Sequence, residues 1–153
     1  MMKKAFYILF SMTMLSCGVC LDSVKLNNIK YFRAELLNDI STDEYYREIQ
    51  LYYSNRNFEK IKDLSSESYR VLRFQKDGYV ISSKSKITLK YEYGGVLYKK
   101  NNQVYIDLIE GTQDGCPTIN RYKVKIVGDK LYLLEDNFLI NFERVCYVYQ
   151  KDR

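Results

Sequence analysis

From Tyr69 onward apolar and polar residues alternate with a period of two. Ile87, Leu89, Tyr91 and Tyr93 interleave with Thr88, Lys90 and Glu92, and Val104, Ile106 and Leu108 interleave with Tyr105 and Asp107. The clearest run is Arg121-Tyr122-Lys123-Val124-Lys125-Ile126, with the cations on one face and the apolar residues on the other. Successive strand side chains point to opposite faces, so each run reads as a half-buried strand. Between the runs lie Asp77-Gly78, Gly94-Gly95, Asn101-Asn102, Gly128-Asp129 and Asp136-Asn137, residues that tolerate positive φ and close tight hairpins. The spacing predicts about eight strands, near 69–75, 78–83, 86–93, 96–100, 103–110, 119–127, 130–135 and 138–149. Local hairpins in series, with no crossover helices, imply a mainly β antiparallel meander that forms a barrel or half-barrel, closure being one way to remove exposed edges.

The stretch before it has a different pattern. Ile29, Phe32, Leu36 and Leu37 fall near helical spacing, and Ser41-Thr42-Asp43-Glu44 matches a capping box, in which Ser41 and Glu44 satisfy each other's backbone N–H groups. Tyr45, Ile49, Tyr52 and Tyr53 then recur as on one face of a helix, and Phe58, Ile61 and Leu64 continue a second short stripe. A short N-terminal helical segment is expected near 42–54. A strand is the alternative there, because tyrosine favours pleated surfaces.

The chain opens with Met-Met-Lys-Lys and an apolar stretch from Ala5 to Leu15, followed by Ser16-Cys17. A cationic start, a short apolar core and a small residue before the cut describe an export signal. Eleven residues at about 1.5 Å each span only about half of a ~30 Å hydrocarbon core, too little for a stable membrane-crossing helix. Met14-Leu15-Ser16-Cys17 resembles the bacterial lipobox, which implies that residues 1–16 are removed and Cys17 is diacylated with palmitate-like chains. Residues 17–28 then form a tether and 29–153 a single β-rich domain. Two acyl chains suffice for stable anchoring, so the membrane is an expected partner. No run of acids follows Cys17, which favours a periplasm-facing position on the outer membrane of the cell envelope.

Composition narrows the chemistry. The chain has no His and no Trp, and its Met residues (Met1, Met2, Met12 and Met14) all lie in the leader. Without imidazole there is no Ser-His or Cys-His pair and no His-rich metal site, so neither an enzyme nor a bound cofactor is expected. Two of the +5 net charges are leader lysines, leaving +3, too mild an excess to suggest nucleic acid.

Two segments resemble hairpins of small lipocalin-like lipoproteins of Bacteroidota. One is Tyr69-Arg70-Val71-Leu72-Arg73-Phe74-Gln75-Lys76-Asp77-Gly78-Tyr79-Val80. The other is Tyr122-Lys123-Val124-Lys125-Ile126-Val127-Gly128-Asp129-Lys130-Leu131-Tyr132-Leu133, with an aromatic last strand through Tyr147 and Tyr149. The likeness covers roughly 68–150, and it lacks the Gly-x-Trp that lipocalins carry near the mature start. It implies a calyx-like lipocalin-like barrel able to hold a lipid or another apolar small molecule.

Among single residues, Cys116 and Cys146 are the cysteines of the folded region. In an oxidising compartment a bond between them would close about 31 residues and contribute roughly 3–4 kcal/mol. The alternative is a pair of unlinked thiols with Cys146 buried, while Cys20 in the tether is unpaired. Tyr91, Tyr93, Tyr122 and Tyr147 are candidate walls of a ligand pocket, set against the plain fitness of Tyr for strands. Lys84, Lys86, Lys90, Lys99, Lys100, Lys123 and Lys125 read as a cationic face or as edge protection. The carboxylates Asp107, Glu110, Glu135, Asp136 and Glu143 read as solvated turns and strand faces. Three function classes survive: a ligand-binding envelope lipoprotein; a protein-interaction lipoprotein such as an envelope assembly factor or an inhibitor or immunity protein; and, least expected, an enzyme, which would need a cleft with two convergent carboxylates or a Tyr-Lys pair.

Overall fold

The computed structural model describes residues 26–65, 70–83, 93–111, 117–136 and 144–152. The strands are β1 (Tyr45–Ser54), β2 (Lys60–Leu64), β3 (Val71–Phe74), β4 (Tyr79–Ser83), β5 (Tyr93–Lys100), β6 (Gln103–Gly111), β7 (Pro117–Val127), β8 (Lys130–Glu135) and β9 (Arg144–Lys151). All neighbours from β3 to β9 pair antiparallel in sequence order. Closure comes through β1. Its start pairs with β3 and its end with β2 along one edge, while its other edge pairs with β9 from Tyr46 to Ser54. The result is a closed eight-stranded antiparallel barrel, lipocalin-like in outline, with β2 as an extra strand beside β1. The choice between barrel and half-barrel is thereby resolved in favour of the barrel.

The expected helix near 42–54 is a strand, and the structure gives the reason. Glu48 pairs with Tyr149 but Gln50 pairs with Val148, so Ile49 is an extra residue in a β-bulge. Tyr46 and Glu48 face the lumen before the bulge, and its one-residue slip places Leu51 opposite the inward Tyr147 beyond it. Tyr52, on the outer face, is nevertheless buried with Leu134, Cys146 and Val148. A bulge plus burial on both faces erases the period of two and imitates helical spacing. The residues of the supposed capping box act otherwise: the Ser41 N–H donates to the Tyr46 hydroxyl at 2.8 Å, and Glu44 pairs with Lys151. Among the described residues the helical content is two 3₁₀ turns, Asn27–Tyr31 and Ala34–Leu37.

Most turn signals close hairpins. Gly78 and Gly128 have φ of 87° and 60°, and Asn101 and Asn102 have 49° and 61°. Gly94-Gly95 is a correction, because both lie inside β5, opposite Ile81 and Val80. A Cβ on Gly95 would stand 2.5 Å from a Leu108 methyl and 2.8 Å from the Asp107 carbonyl oxygen, so glycine is needed there for close approach rather than for turning. The strand expected over 86–93 lies outside the described residues apart from Tyr93.

Residues 26–41 run down the outer wall and under one end. Leu26 sits beside Gly94 and Ile109, Asn28 bonds Asp107, Tyr31 meets Lys100, and Phe32 covers Gly78. The chain then turns beneath the barrel, where Ile40 is buried in the core and Leu36 and Leu37 pack against it. The end carrying the β3–β4, β5–β6 and β7–β8 hairpins is therefore closed. At the opposite end, the mouth, the longer connections leave and re-enter the wall.

Candidate functional site

The lumen has two halves of different chemistry. Toward the closed end it is filled by Leu72, Phe74, Val80, Leu97, Ile106, Leu131 and their neighbours. Leu72, Leu97, Ile106 and Leu131 are each 0% exposed, so no water-sized void adjoins them. Tyr46 meets Phe74 edge to face at 5.4 Å, where two inward strand positions converge on the floor. An acyl chain would have to displace packed side chains to enter this half.

Toward the mouth the inward positions turn polar. Alternation places Glu110 on the same face of β6 as Ile106 and Leu108, and Glu135 on the same face of β8 as Leu131 and Leu133. Arg70, just before β3, ion-pairs with Glu110. Glu110 also accepts from the Tyr122 hydroxyl at 3.0 Å and from the Asn120 amide at 2.5 Å. The Tyr147 hydroxyl donates to Glu135 at 3.3 Å, and the Arg70 guanidinium lies 5.5 Å over the Tyr147 ring. Tyr122 and Tyr147 meet edge to face at 5.8 Å.

The electrostatics follow from this confinement. Burial alone would lower the affinity of Arg70 for its proton, but Glu110 and the surrounding tyrosines outweigh it, and Arg70 is held more firmly cationic. Burial raises the Glu135 pKa, opposed by hydrogen bonds from the Tyr147 hydroxyl and the Val145 backbone. Burial also raises those of Tyr122 and Tyr147, with Glu110 reinforcing the first and Glu135 the second. The tyrosines thus stay neutral hydrogen-bond donors at any ordinary pH. The mouth can offer a guanidinium, two carboxylates, an amide and the half-buried Tyr147 ring to a small polar group, with the fully buried Tyr122 behind them.

Of the candidate pocket residues, Tyr122 and Tyr147 meet in this cluster. Tyr91 and the Tyr93 side chain lie outside the described residues. Arg70, Asn120 and the carboxylates were missed. Reading Asp107, Glu110 and Glu135 as solvated is corrected: Asp107 is 2% exposed on the outer wall, and both glutamates sit on the inner wall. The signal was present in the alternation, since an acid in the parity of core residues faces the core. Lys99 and Lys100 are exposed, Lys123 pairs with Asp136 at 3.5 Å, and the Lys125 ammonium lies over the Phe58 ring, so these four are dispersed over separate contacts.

Cys146 points outward from β9 into a small exterior core under the Asn55–Glu59 turn. The turn is held by the Asn55 side chain, which accepts from the Asn57 and Glu59 N–H groups at 2.8 and 3.1 Å. Cys146 carries a free, buried thiol, pushed up to about 11 by burial despite a hydrogen bond from Tyr52. The expected bond to Cys116 is not formed in this structure, and Cys116, like the acylation candidate Cys17 and like Cys20, lies outside the described residues.

Among the described residues, two hollows lie on the outside near the closed end. One of about 350 Å³ is lined by residues 38–41, Tyr46, Gly128, Asp129 and Lys151; the other, of about 580 Å³, lies between Arg47, Ile49, Asp129 and Gln150–Asp152. Both are open and mostly polar, unsuited to an acyl chain. Among the described residues no group of metal-ligating side chains converges. Comparison with protein-family models, with curated proteins and with solved structures gives no match for this chain.

Proposed function

We propose that the chain is an exported lipoprotein, acylated at Cys17 and held at the cell envelope, whose barrel receives a small amphiphilic ligand at its mouth. The observation that carries this reading is the gathering of Arg70, Glu110, Asn120, Tyr122, Glu135 and Tyr147 at the end of the lumen that residues 34–41 do not close. Binding sites commonly combine an apolar body with a few convergent polar groups, and this end has both. The filled lower half limits how deep a ligand reaches. Its polar group meets the cluster, and its apolar part lies along the half-buried Tyr147 ring and the rim.

The protein-interaction reading expects aromatic anchors gathered in one patch. Among the described residues, exposed large apolar residues are instead spread over four strands, with Tyr45 and Ile49 on β1, Ile61 on β2, Tyr79 on β4 and Ile119 and Val127 on β7. That distribution supports the ligand-binding reading.

Native mass spectrometry of the processed protein extracted from its own host's envelope tests the ligand. The expected result is a small-molecule adduct that leaves on denaturation and is absent from an Arg70→Met/Glu135→Gln double variant. A bare mass, or a stoichiometric protein in place of the adduct, would overturn it. The anchor is tested separately with globomycin, which blocks the lipoprotein signal peptidase. Unchanged processing, or the same membrane-bound species from Cys17→Ala, would remove the lipoprotein.

A further inference from the structure

We infer that the barrel stands on the membrane with its mouth toward the bilayer, the orientation being set by the strap formed by residues 26–33; this rests on the acylation of Cys17 proposed above. The strap fixes where the tether leaves the fold. Its first described residue, Leu26, lies beside Gly94 at the start of β5 and Ile109 near the end of β6, both at the mouth. From there it descends to the closed end and is held along the way.

The hold is strong in the middle and at the foot. Asn28 donates to Asp107 at 2.5 Å, and Asp107 is 2% exposed, already accepting from Tyr98 at 3.0 Å and from Arg121 at 2.9 Å. At the foot Phe32 fills the space above Gly78, so close that a Cβ there would stand 2.4 Å from its ring, and the Arg33 guanidinium donates to the Phe32 carbonyl at 2.8 Å. The Tyr31 ring has the Lys30 and Lys100 ammonium groups at 5.2 and 5.7 Å. A strap pinned at these points cannot swing to release the tether from the other end.

The length of chain that remains then decides the orientation. From Cys17 to Leu26 are nine steps, at most about 30 Å when fully extended. β5 alone, at eight residues, runs about 26 Å along the wall. Turning the closed end to the bilayer would require most of the tether to lie back along the barrel, nearly taut, with only about 4 Å left to reach the surface. With the mouth toward the lipid the tether can stay slack.

A ligand taken at this mouth would be exchanged with the membrane itself rather than with the bulk aqueous phase.

The absence of Trp from the chain provides a clean test. Ile119 and Val127 are both exposed and lie at opposite ends of β7, at the mouth and the closed end. The acylated full-length protein carrying either Ile119→Trp or Val127→Trp is reconstituted into vesicles of phosphatidylcholine and phosphatidylglycerol with brominated acyl chains, and Trp quenching is read. Several-fold stronger quenching of Ile119→Trp is expected, with Val127→Trp close to the value in unbrominated vesicles. Equal quenching, or stronger quenching of Val127→Trp, would overturn the orientation while leaving the anchor intact. Failure of the protein to float with vesicles, and no difference from Cys17→Ser, would instead sink the lipoprotein reading and the orientation with it. Adding Asn28→Ala and Phe32→Ala should shrink the contrast between the two reporters by freeing the strap; an unchanged contrast in this folded variant would show that the strap does not set the orientation.

Discussion

Asp107 and Glu110 are three residues apart on one strand, and an odd spacing sends them to opposite faces of the barrel wall. Asp107 points outward, yet its side chain is only 3% exposed because the strap covers it and Asn28, Tyr98 and Arg121 all bond to it. Glu110 points inward and yet keeps 19% of its side-chain surface, since it lies near the mouth with Arg70, Asn120 and Tyr122 around it. The outward carboxylate has become structural and the inward one accessible, the reverse of what the two faces of a barrel ordinarily imply. What decides is the added segment, which among the described residues covers the stretch of wall at Asp107 and the far end of the lumen but not the end at Glu110.

The largest way to break this contrast is Asp107→Ala. It strands the Tyr98 hydroxyl, whose residue is 1% exposed, and removes the strap's anchor. A loss of about 3 kcal/mol is expected from leaving a buried donor unmet and removing charge-assisted bonds, read as a lower urea midpoint. Arg70→Met should cost less, about 1–2 kcal/mol, because water can reach Glu110 at the mouth and because Tyr122 and Asn120 still donate to it. Equal losses at the two sites would remove the distinction between a structural and an accessible carboxylate.

A smaller effect sharpens the electrostatics. Glu135 holds its proton more tightly folded than unfolded, because burial disfavours its charge. Such a group contributes stability that is fully present below the ordinary glutamate value of 4.5 and is lost as pH rises through the raised folded value. Urea midpoints of wild type should therefore fall across that window relative to Glu135→Gln, which lacks the titration. Parallel pH profiles would count against the desolvation of Glu135. The smallest expected effect is Lys30→Ala. Among the described residues its ammonium meets the Tyr31 ring at 5.2 Å, and a change in thermal midpoint corresponding to within about 0.5 kcal/mol is expected.

Much of the wall was legible before any coordinates. Val104, Ile106, Leu108, Tyr122, Val124, Leu131 and Leu133 alternate because one face meets the core and the other water, and all lie in or against the core of the structure. The Asp77-Gly78, Asn101-Asn102 and Gly128-Asp129 turns follow from positive φ. β1 was not legible in the same way, since the bulge at Ile49 and the exterior core around Tyr52 remove the alternation on which the reading depends. Gly94-Gly95 misled for a related reason: glycine marks both a turn and a close approach, and only the neighbouring Leu108 tells them apart.

The mouth cluster was half legible. The parity of Glu110 with Leu108, and of Glu135 with Leu133, was available in the alternation. That Arg70 meets Glu110 across 40 positions of chain was not, because a pairing at that separation exists only once β1 closes the ring.

By itself the sequence determined a β meander, its hairpins and the inward or outward facing of most wall residues, because these depend on local alternation and backbone preference. The tertiary structure alone decided that the ring closes through β1, that residues 26–41 cover one wall and one end, and that an arginine and two glutamates meet at the other. Those are contacts between distant segments, and their free energies depend on burial and on partners that no window of neighbouring residues contains.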